Sequence, residues 1–269
     1  MSFLDKILTA KRAEIVNAES HTPLATLKTL ASRRTDFRDF TTSLNTPGIR
    51  IIAEIKRASP SLGDIAPDLS PAALARAYTT GGAAALSILT EPAFFKGSAT
   101  DLQQARAATT LPVLRKDFII APYQVYETAA MGADAMLLIV RILDDAQLRD
   151  LLALATDLGL HTLVEIHDEA DARRLNGLNA PVIGINNRDL AHFHTDVNRA
   201  ARIAALLPPE TAVVAASGIR DANDIRQSLA NGIRRFLVGE TLVKTPDSAA
   251  LLREWTALDN SIPLQDSKE

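Results

Sequence analysis

The chain has 269 residues, of which 47% are hydrophobic and 23% charged, and its formal net charge is -3. A chain of this length and composition can bury a large core, which excludes intrinsic disorder as its main state. Cysteine is absent, which excludes disulfides, thiolate-bound zinc, iron–sulfur clusters and cysteine nucleophiles. The slight acidity argues against a nucleic-acid surface, which needs clustered Lys and Arg.

No apolar run approaches the roughly 20 residues that a membrane-spanning helix requires. The longest run lies between Ala135 and Val140, and Arg141 ends it. Asp5 and Lys6 interrupt the N-terminal stretch that a secretory leader would need to be apolar. We therefore expect a soluble cytoplasmic protein without a membrane partner.

The first 48 residues show helical patterns but no strand pattern. Apolar residues from Phe3 to Ile15 recur at helical spacing, and a second helix is predicted from about Pro23 to Ser32. A Thr46-Pro-Gly48 turn then ends this extension, residues 1–48, before the remaining residues 49–269. We expect the extension to pack on the part that follows, so that the chain forms one structural domain.

From Ile49 onward, short apolar runs alternate with amphipathic stretches that are rich in Ala and Leu. The predicted strands are Ile51–Lys56, Ala85–Leu89, Val113–Lys116, Ala135–Val140, Thr162–Ile166, Val182–Asn186, Ala212–Ala216 and Phe236–Val238. The predicted helices are Pro71–Thr79, Asp101–Ala108, Tyr123–Met131, Asp145–Leu158, Glu169–Asn176, Asn198–Leu207, Asp221–Ala230 and Ser248–Leu258. Eight strands, each followed by a helix, predict an α/β fold that closes as a (β/α)8 TIM barrel. A doubly wound sheet would explain only six of them.

Polar side chains are predicted at the C-terminal ends of several strands, where barrels of this kind hold their active sites. Strand alternation places Glu54 and Lys56 on the inward face of the first strand. Lys116, Glu165 and Asn186 end the third, fifth and sixth strands. On this strand alone, a structural ion pair between Glu54 and Lys56 explains the two inward charges about as well as a catalytic role does. The convergence of polar groups from four strands at one end of the barrel is explained by an active site and not by structural ion pairs.

Turns that contain glycine follow the seventh and eighth strands, a common position for phosphate binding in barrels. Ser217 and Gly218 follow the seventh strand, and Gly239 and Glu240 follow the eighth. Ser59, in the loop after the first strand, adds a hydroxyl group on the same side. We therefore expect an anion site at this end of the barrel.

Six segments resemble the indole-3-glycerol phosphate synthases, and they follow one another in the order found in that family. They are Glu54-Ile-Lys-Arg-Ala-Ser-Pro-Ser61, Leu114-Arg-Lys-Asp-Phe-Ile-Ile120, Pro122-Tyr-Gln-Val-Tyr-Glu127, Leu163-Val-Glu-Ile-His167, Gly184-Ile-Asn-Asn-Arg-Asp-Leu190 and Ser217-Gly-Ile219. The resemblance spans nearly the whole chain, including the extension. It implies a carboxy-lyase of tryptophan biosynthesis that acts on 1-(2-carboxyphenylamino)-1-deoxyribulose 5-phosphate. The aromatic ring attacks the C2′ carbonyl, CO₂ leaves, and dehydration yields indole-3-glycerol phosphate.

The resemblance also implies a role for each matching residue. Lys116 is expected to protonate the carbonyl oxygen during ring closure, while Glu165 and Lys56 share the proton transfers of dehydration in a division that stays open. Glu54 orients the lysines and the substrate. Asn186 completes the expected catalytic set, where it binds substrate or braces the site. The substrate-binding positions are Arg188, Phe95, Phe118, Leu137, Ser59 and Ser217, and the phosphate side has Ser59, Gly218, Gly239 and Glu240.

The resemblance implies neither an organic cofactor nor a metal. His192 and His194 have a spacing that could hold a metal, but no arrangement of carboxylates supports one. The expected partner is a small phosphorylated substrate alone, and a monomer is expected because monomers are common in the family.

One position departs from the family pattern. Ala216 stands directly before Ser217, where the family usually has glutamate, and strand parity places it on the inward face. Because the other charged residues remain, we expect an active enzyme, either a variant in which water or a neighbour substitutes for glutamate or a carrier of an engineered substitution. The alternative is an impaired paralogue that binds a phosphorylated metabolite without turnover. An isomerase of the same pathway would explain the glycine turns but not the charged set.

Overall fold

Eight parallel strands close into a barrel, in which each strand pairs with its neighbour in the chain and the first pairs with the last. The computed structural model describes residues 3–187 and 199–258. The barrel strands are Arg50–Ile55, Ala85–Leu89, Val113–Lys116, Ala135–Ile139, His161–Ile166, Val182–Asn186, Ala212–Ala216 and Arg235–Val238. The predicted (β/α)8 barrel is confirmed, and each strand boundary lies within one residue of its prediction.

Helices connect the strands and cover the outside of the barrel. They are α4 (Pro71–Thr80), α6 (Ala99–Ala107), α7 (Pro122–Met131), α8 (Asp145–Asp157), α9 (Glu169–Arg174), α10 (Arg199–Ala204), α11 (Ala222–Ala230) and α13 (Ser248–Ala257). Side-chain caps define several helix starts: the Asp144 carboxylate accepts the Gln147 N–H, and the Gln147 side chain accepts the Asp144 N–H in return.

Short elements that the sequence did not predict follow the strands at their C-terminal ends. They are the hairpin Ala58–Ser59 and Gly63–Asp64, α5 (Pro92–Phe95), the 3₁₀ turn Val140–Ile142 and α12 (Glu240–Lys244). They shape the loops on the face where barrels of this type place their sites.

The strands divide their side chains between two cores. Ile51, Ala53 and Ile55 of the first strand pack in the layer between strands and helices, whereas Ile52 belongs to the barrel interior. This alternation confirms the predicted parity, which directs Glu54 inward. Phe40 and Leu44 join the interior cluster and are completely buried.

The extension consists of α1 (Phe3–His21), α2 (Leu24–Ser32) and α3 (Phe40–Asn45), and α2 packs on α7. Arg34 reaches the buried carboxylate of Asp134 at 2.6 Å, just before the fourth strand. The boundary predicted at residue 48 falls between α3 and the first strand. In the part of the chain that the structure describes, no helix is both long and apolar enough to cross a membrane.

Candidate active site

A cavity of about 570 Å³ opens at the C-terminal ends of the strands. Its lining includes all five residues that were predicted to be catalytic: Glu54, Lys56, Lys116, Glu165 and Asn186. The structure therefore brings together polar groups from the first, third, fifth and sixth strands, as strand order and parity predicted. Four of the five, all except Asn186, are ionisable, so the cavity contains groups that can transfer protons and bind an ionic substrate.

Glu54 and Lys56 form an ion pair with an Oε1–Nζ distance of 3.0 Å, and Ser87 donates to the other Glu54 oxygen at 3.5 Å. Burial alone would raise the pKa of Glu54, but the neighbouring ammonium groups of Lys56 and Lys116 outweigh it and hold that pKa below its ordinary value. Glu54 is consequently an anion paired with Lys56.

Gly239 lies against this ion pair. A Cβ atom at this position would come within 2.6 Å of Glu54 Oε1 and 3.1 Å of Lys56 Nζ. Only a residue without a side chain leaves room for the pair, which gives Gly239 a second role beside the predicted one in phosphate binding. The sequence offered no signal for this contact, because it joins the first and last strands.

Glu165 is buried and contacts two other strand ends. Asn186 Nδ2 donates to Glu165 Oε1 at 3.2 Å, and Lys116 Nζ lies 4.0 Å from Glu165 Oε2. The two carboxylate oxygens thus have different environments. A carboxylate and an ammonium at this separation can act on one substrate as base and acid.

Apolar side chains form part of the cavity wall. Phe95 and Phe118 line the cavity with their ring centroids 6.3 Å apart, and Leu137 lines an adjoining cavity of about 110 Å³. The Glu91 carboxylate accepts the backbone N–H groups of Ala93, Phe94 and Phe95, which fixes the short helix that carries Phe95. Such a wall suits a planar aromatic ring.

The residues predicted for an anion line the same cavity. They are Ser59, Ser217, Gly218, Gly239 and Glu240. Ser217 and Gly218 both have positive φ, 68° and 87°, a conformation that is uncommon for a residue other than glycine. The Glu240 carboxylate pairs with Lys244 at 2.8 Å, which neutralises its charge beside the cavity.

Ala216 faces inward as predicted and lines the cavity beside Ser217. It pairs in register with Asn186 and Leu237 on the neighbouring strands. A longer side chain at this position would extend into the cavity that holds the charged residues. Arg188, His192, His194 and Asn198 lie outside the described residues. Within those that are described, no cluster of three or more His, Asp or Glu side chains could hold a metal ion.

Residues 4–255 match the family of indole-3-glycerol phosphate synthases. The chain belongs to this family. The indole-3-glycerol phosphate synthase of Desulfosudis oleivorans is 50% identical over 255 residues, which cover 93% of this chain and 97% of that protein. The enzyme of the same name from Polaromonas naphthalenivorans is 44% identical over equal shares.

More distant solved structures share the barrel. The 3-hexulose-6-phosphate synthase from Salmonella typhimurium superposes with a TM-score of 0.63 at 11% identity, over 79% of this chain and 99% of that one. A mandelate oxidase mutant with (S)-mandelic acid gives a TM-score of 0.60 at 16% identity, over 89% and 83% of the two chains. At such identities the likeness establishes the fold alone.

Several residues line the site of this indole-3-glycerol phosphate synthase family member without having been predicted there. Phe3, Leu4 and Ile7 of α1 lie over the larger cavity, and His167 lines the smaller one. The helical spacing of the α1 residues predicts a buried face but not the surface that it covers. His167 follows Glu165 by two residues, and strand parity could have placed both on the inward face.

Proposed function

We propose that this chain catalyses the conversion of 1-(2-carboxyphenylamino)-1-deoxyribulose 5-phosphate to indole-3-glycerol phosphate. The observation that carries this proposal is the convergence of Glu54, Lys56, Lys116 and Glu165 on one cavity with an apolar wall, in a chain of the indole-3-glycerol phosphate synthase family. The substrate combines an aromatic ring, a carboxylate and a phosphate, which match the apolar wall, the lysines and the anion side.

Ring closure begins when the aromatic carbon that carries the carboxylate attacks the C2′ carbonyl. Negative charge develops on the carbonyl oxygen, and Lys116 donates a proton to it. The nearest carboxylate oxygen, Oε2 of Glu165, lies 4.0 Å from Lys116 Nζ, beyond hydrogen-bond distance, so the ammonium can turn a proton toward substrate. General acid assistance of this kind typically contributes about 10²–10⁴-fold.

Decarboxylation follows because ring closure leaves the carboxylate on a tetrahedral carbon next to a cationic iminium group. The electron pair of the C–CO₂ bond moves into the ring system and cancels that charge. Phe95 and Phe118 hold the ring and keep water from it. Lys56 is placed to hold the carboxylate before it leaves.

Dehydration requires one proton to be removed and one to be delivered to the departing hydroxyl group. We assign the removal to Glu165, a buried carboxylate on the fifth strand, and the delivery to Lys56. Glu54 Oε1 lies 3.0 Å from Lys56 Nζ and fixes the position of that amino group. Water leaves and the indole ring becomes aromatic.

The remaining site assignments belong to the same proposal. Ser59, Ser217 and the backbone at Gly218, Gly239 and Glu240 hold the phosphate, with Arg188 as a further substrate contact. Lacking a carboxylate at Ala216, the protein relies on the four remaining charged groups for turnover. We also infer a cytoplasmic monomer. We infer further that the extension and barrel form one structural domain, and the Arg34–Asp134 contact between them supports this second inference.

The test is turnover of the substrate by the purified chain, followed by the fluorescence of the indole product. We expect product from the unsubstituted chain and a rate lower by at least about 100-fold from Lys116→Met. Lys28→Met is the matched control, because Lys28 lies over the Tyr126 ring at 5.3 Å, away from the cavity, and should keep full activity. Binding of the substrate without turnover by the unsubstituted chain would instead support a barrel that only binds a phosphorylated metabolite.

A further inference from the structure

His167 lies behind the site, enclosed by two carboxylates. Its side chain is only 2% exposed and lines the smaller cavity. The ring nitrogen Nε2 lies 3.5 Å from Glu165 Oε1, and Nδ1 lies 3.7 Å from Asp171 Oδ2. Among the described residues, neither ring nitrogen has a hydrogen-bond partner of good geometry. A buried polar ring without such bonds is costly to the fold, so it calls for an explanation.

Asp171 lies on one side of the ring. Its Oδ2 accepts the backbone N–H of His167 at 2.9 Å, pairs with Arg141 Nη2 at 3.1 Å and lies 3.7 Å from the ring nitrogen Nδ1. Of the two ring nitrogens, these contacts involve Nδ1 only, so Nε2 faces the carboxylate on the other side of the ring.

The two carboxylate oxygens of Glu165 have different neighbours. Oε1 accepts from Asn186 Nδ2 at 3.2 Å and faces His167 Nε2, whereas Oε2 faces Lys116 Nζ and the larger cavity. A carboxylate oxygen that accepts one hydrogen bond from Asn186 and lies against a buried imidazole ring limits the rotation of the carboxylate about its terminal bond. Its other oxygen then keeps a constant direction toward the substrate.

We propose that His167 is a positioning residue for Glu165: together with Asn186 it holds Oε1, so that Oε2 is the oxygen that exchanges a proton with substrate. The proposal rests on the proposed function, since it assigns a partner to the residue that removes the proton during dehydration. Among the described residues, the charged groups around this pair are Lys116 and Asp117 at the end of the third strand, Arg141 after the fourth, Asp171 on α9, and Glu54 with Lys56 on the first strand.

The test compares His167→Leu, His167→Gln and the unsubstituted chain by the dependence of kcat on pH. We expect His167→Leu to lower kcat by about tenfold, with KM changed less than about twofold. The pH profile of His167→Leu should also differ from that of the unsubstituted chain, because the residue that removes the proton has lost a neighbour. His167→Gln, whose amide can still donate toward Oε1, should recover most of kcat. His161→Leu is the matched control, because His161 lies at the opposite end of the same strand and contacts Thr41.

A double-mutant cycle separates positioning from structure. In a Glu165→Gln background, His167→Leu should cause no further loss of kcat, because the ring acts through the carboxylate. Losses that multiply in the double variant would overturn the proposal, as would a lower Tm of His167→Leu with kcat and pH profile unchanged.

A spectroscopic measurement keeps the inference independent of turnover. In a chain labelled with ¹⁵N-histidine, the His167 ring resonances are those that disappear in His167→Leu. Glu165→Gln should shift them and leave the His161 resonances in place. An unmoved His167 signal would contradict the contact itself, whereas a shifted signal in a chain without turnover would refute the proposed reaction and leave the contact established.

Discussion

Lys11 Nζ lies 2.7 Å from Asp117 Oδ1, and both side chains are buried. Asp117 directly follows Lys116 in the chain, and it also accepts Thr90 Oγ1 at 2.7 Å and Arg115 Nη2 at 3.0 Å. A charged residue of α1 thus binds the strand end that carries the proposed general acid. The extension is connected to the site through this pair as well as through the apolar residues over the cavity.

Lys11→Met should destabilise the protein by about 3 kcal/mol, because it removes one partner of a buried pair and leaves Asp117 with fewer cations. The measurement is the free energy of unfolding from urea denaturation. Lys6→Met, an exposed position on the same helix, should change it by less than about 0.5 kcal/mol. Equal effects of the two substitutions would show that the Lys11–Asp117 pair contributes no net stability.

Asp117 should also make stability depend on acid pH. Burial alone would raise the pKa of Asp117, but Arg115 and Lys11 outweigh it and lower that pKa to about 2. The pKa of aspartate in an unfolded chain is about 4. Above that pH the lowered pKa of Asp117 therefore adds about 2 kcal/mol to the free energy of unfolding. This contribution is lost as the pH falls from about 4 to 2.

The check is the free energy of unfolding of the unsubstituted chain and of Asp117→Asn across that pH range. Asp117→Asn should be less stable at pH 7, and the difference should shrink as the pH approaches about 2. A difference that stays constant with pH would mean that Asp117 does not have its lowered pKa in the folded state.

Gly239→Ala should impair catalysis more than folding. Gly239 has a φ of -124°, which alanine adopts without strain, but the added Cβ would meet Glu54 Oε1 at 2.6 Å. Displacement of the Glu54–Lys56 pair should lower kcat/KM by about 10- to 100-fold. Steady-state kinetics and Tm measured together separate the two effects.

Gly232→Ala provides the matched control. Its φ of 80° makes alanine unfavourable, but a Cβ there meets no atom within 4 Å. We expect Gly232→Ala to lower Tm and leave kcat/KM unchanged, the reverse of Gly239→Ala. If the two variants behave alike, the close approach of Gly239 to the ion pair has no catalytic consequence.

The strands and the charged residues at their ends were accessible from the sequence, because both follow from local patterns. Alternation alone directed Glu54 inward, and the closed barrel then required that strand ends such as Lys116 and Asn186 meet. The predicted division of roles among these residues rests on family resemblance, not on the pattern. Sequence periodicity was sufficient to predict the position of a residue whose environment is determined by its own strand.

Features that depend on contacts between distant segments were not predictable in this way. Helix α3 has six residues, too few for a clear periodicity, yet its Phe40 and Leu44 pack into the barrel interior. Gly239 owes its environment to the Glu54–Lys56 pair on the first strand. A local pattern contains no information about such neighbours.

The most direct test of the proposed activity is turnover by the unsubstituted chain measured beside Ala216→Glu, with indole fluorescence as the signal. We predict product from both proteins, and a kcat at least about tenfold higher for Ala216→Glu, since one preorganised catalytic group is typically worth about 10²–10³-fold. Absence of product from the unsubstituted chain, under conditions in which Ala216→Glu turns over, would contradict the claim that the remaining charged residues suffice for catalysis.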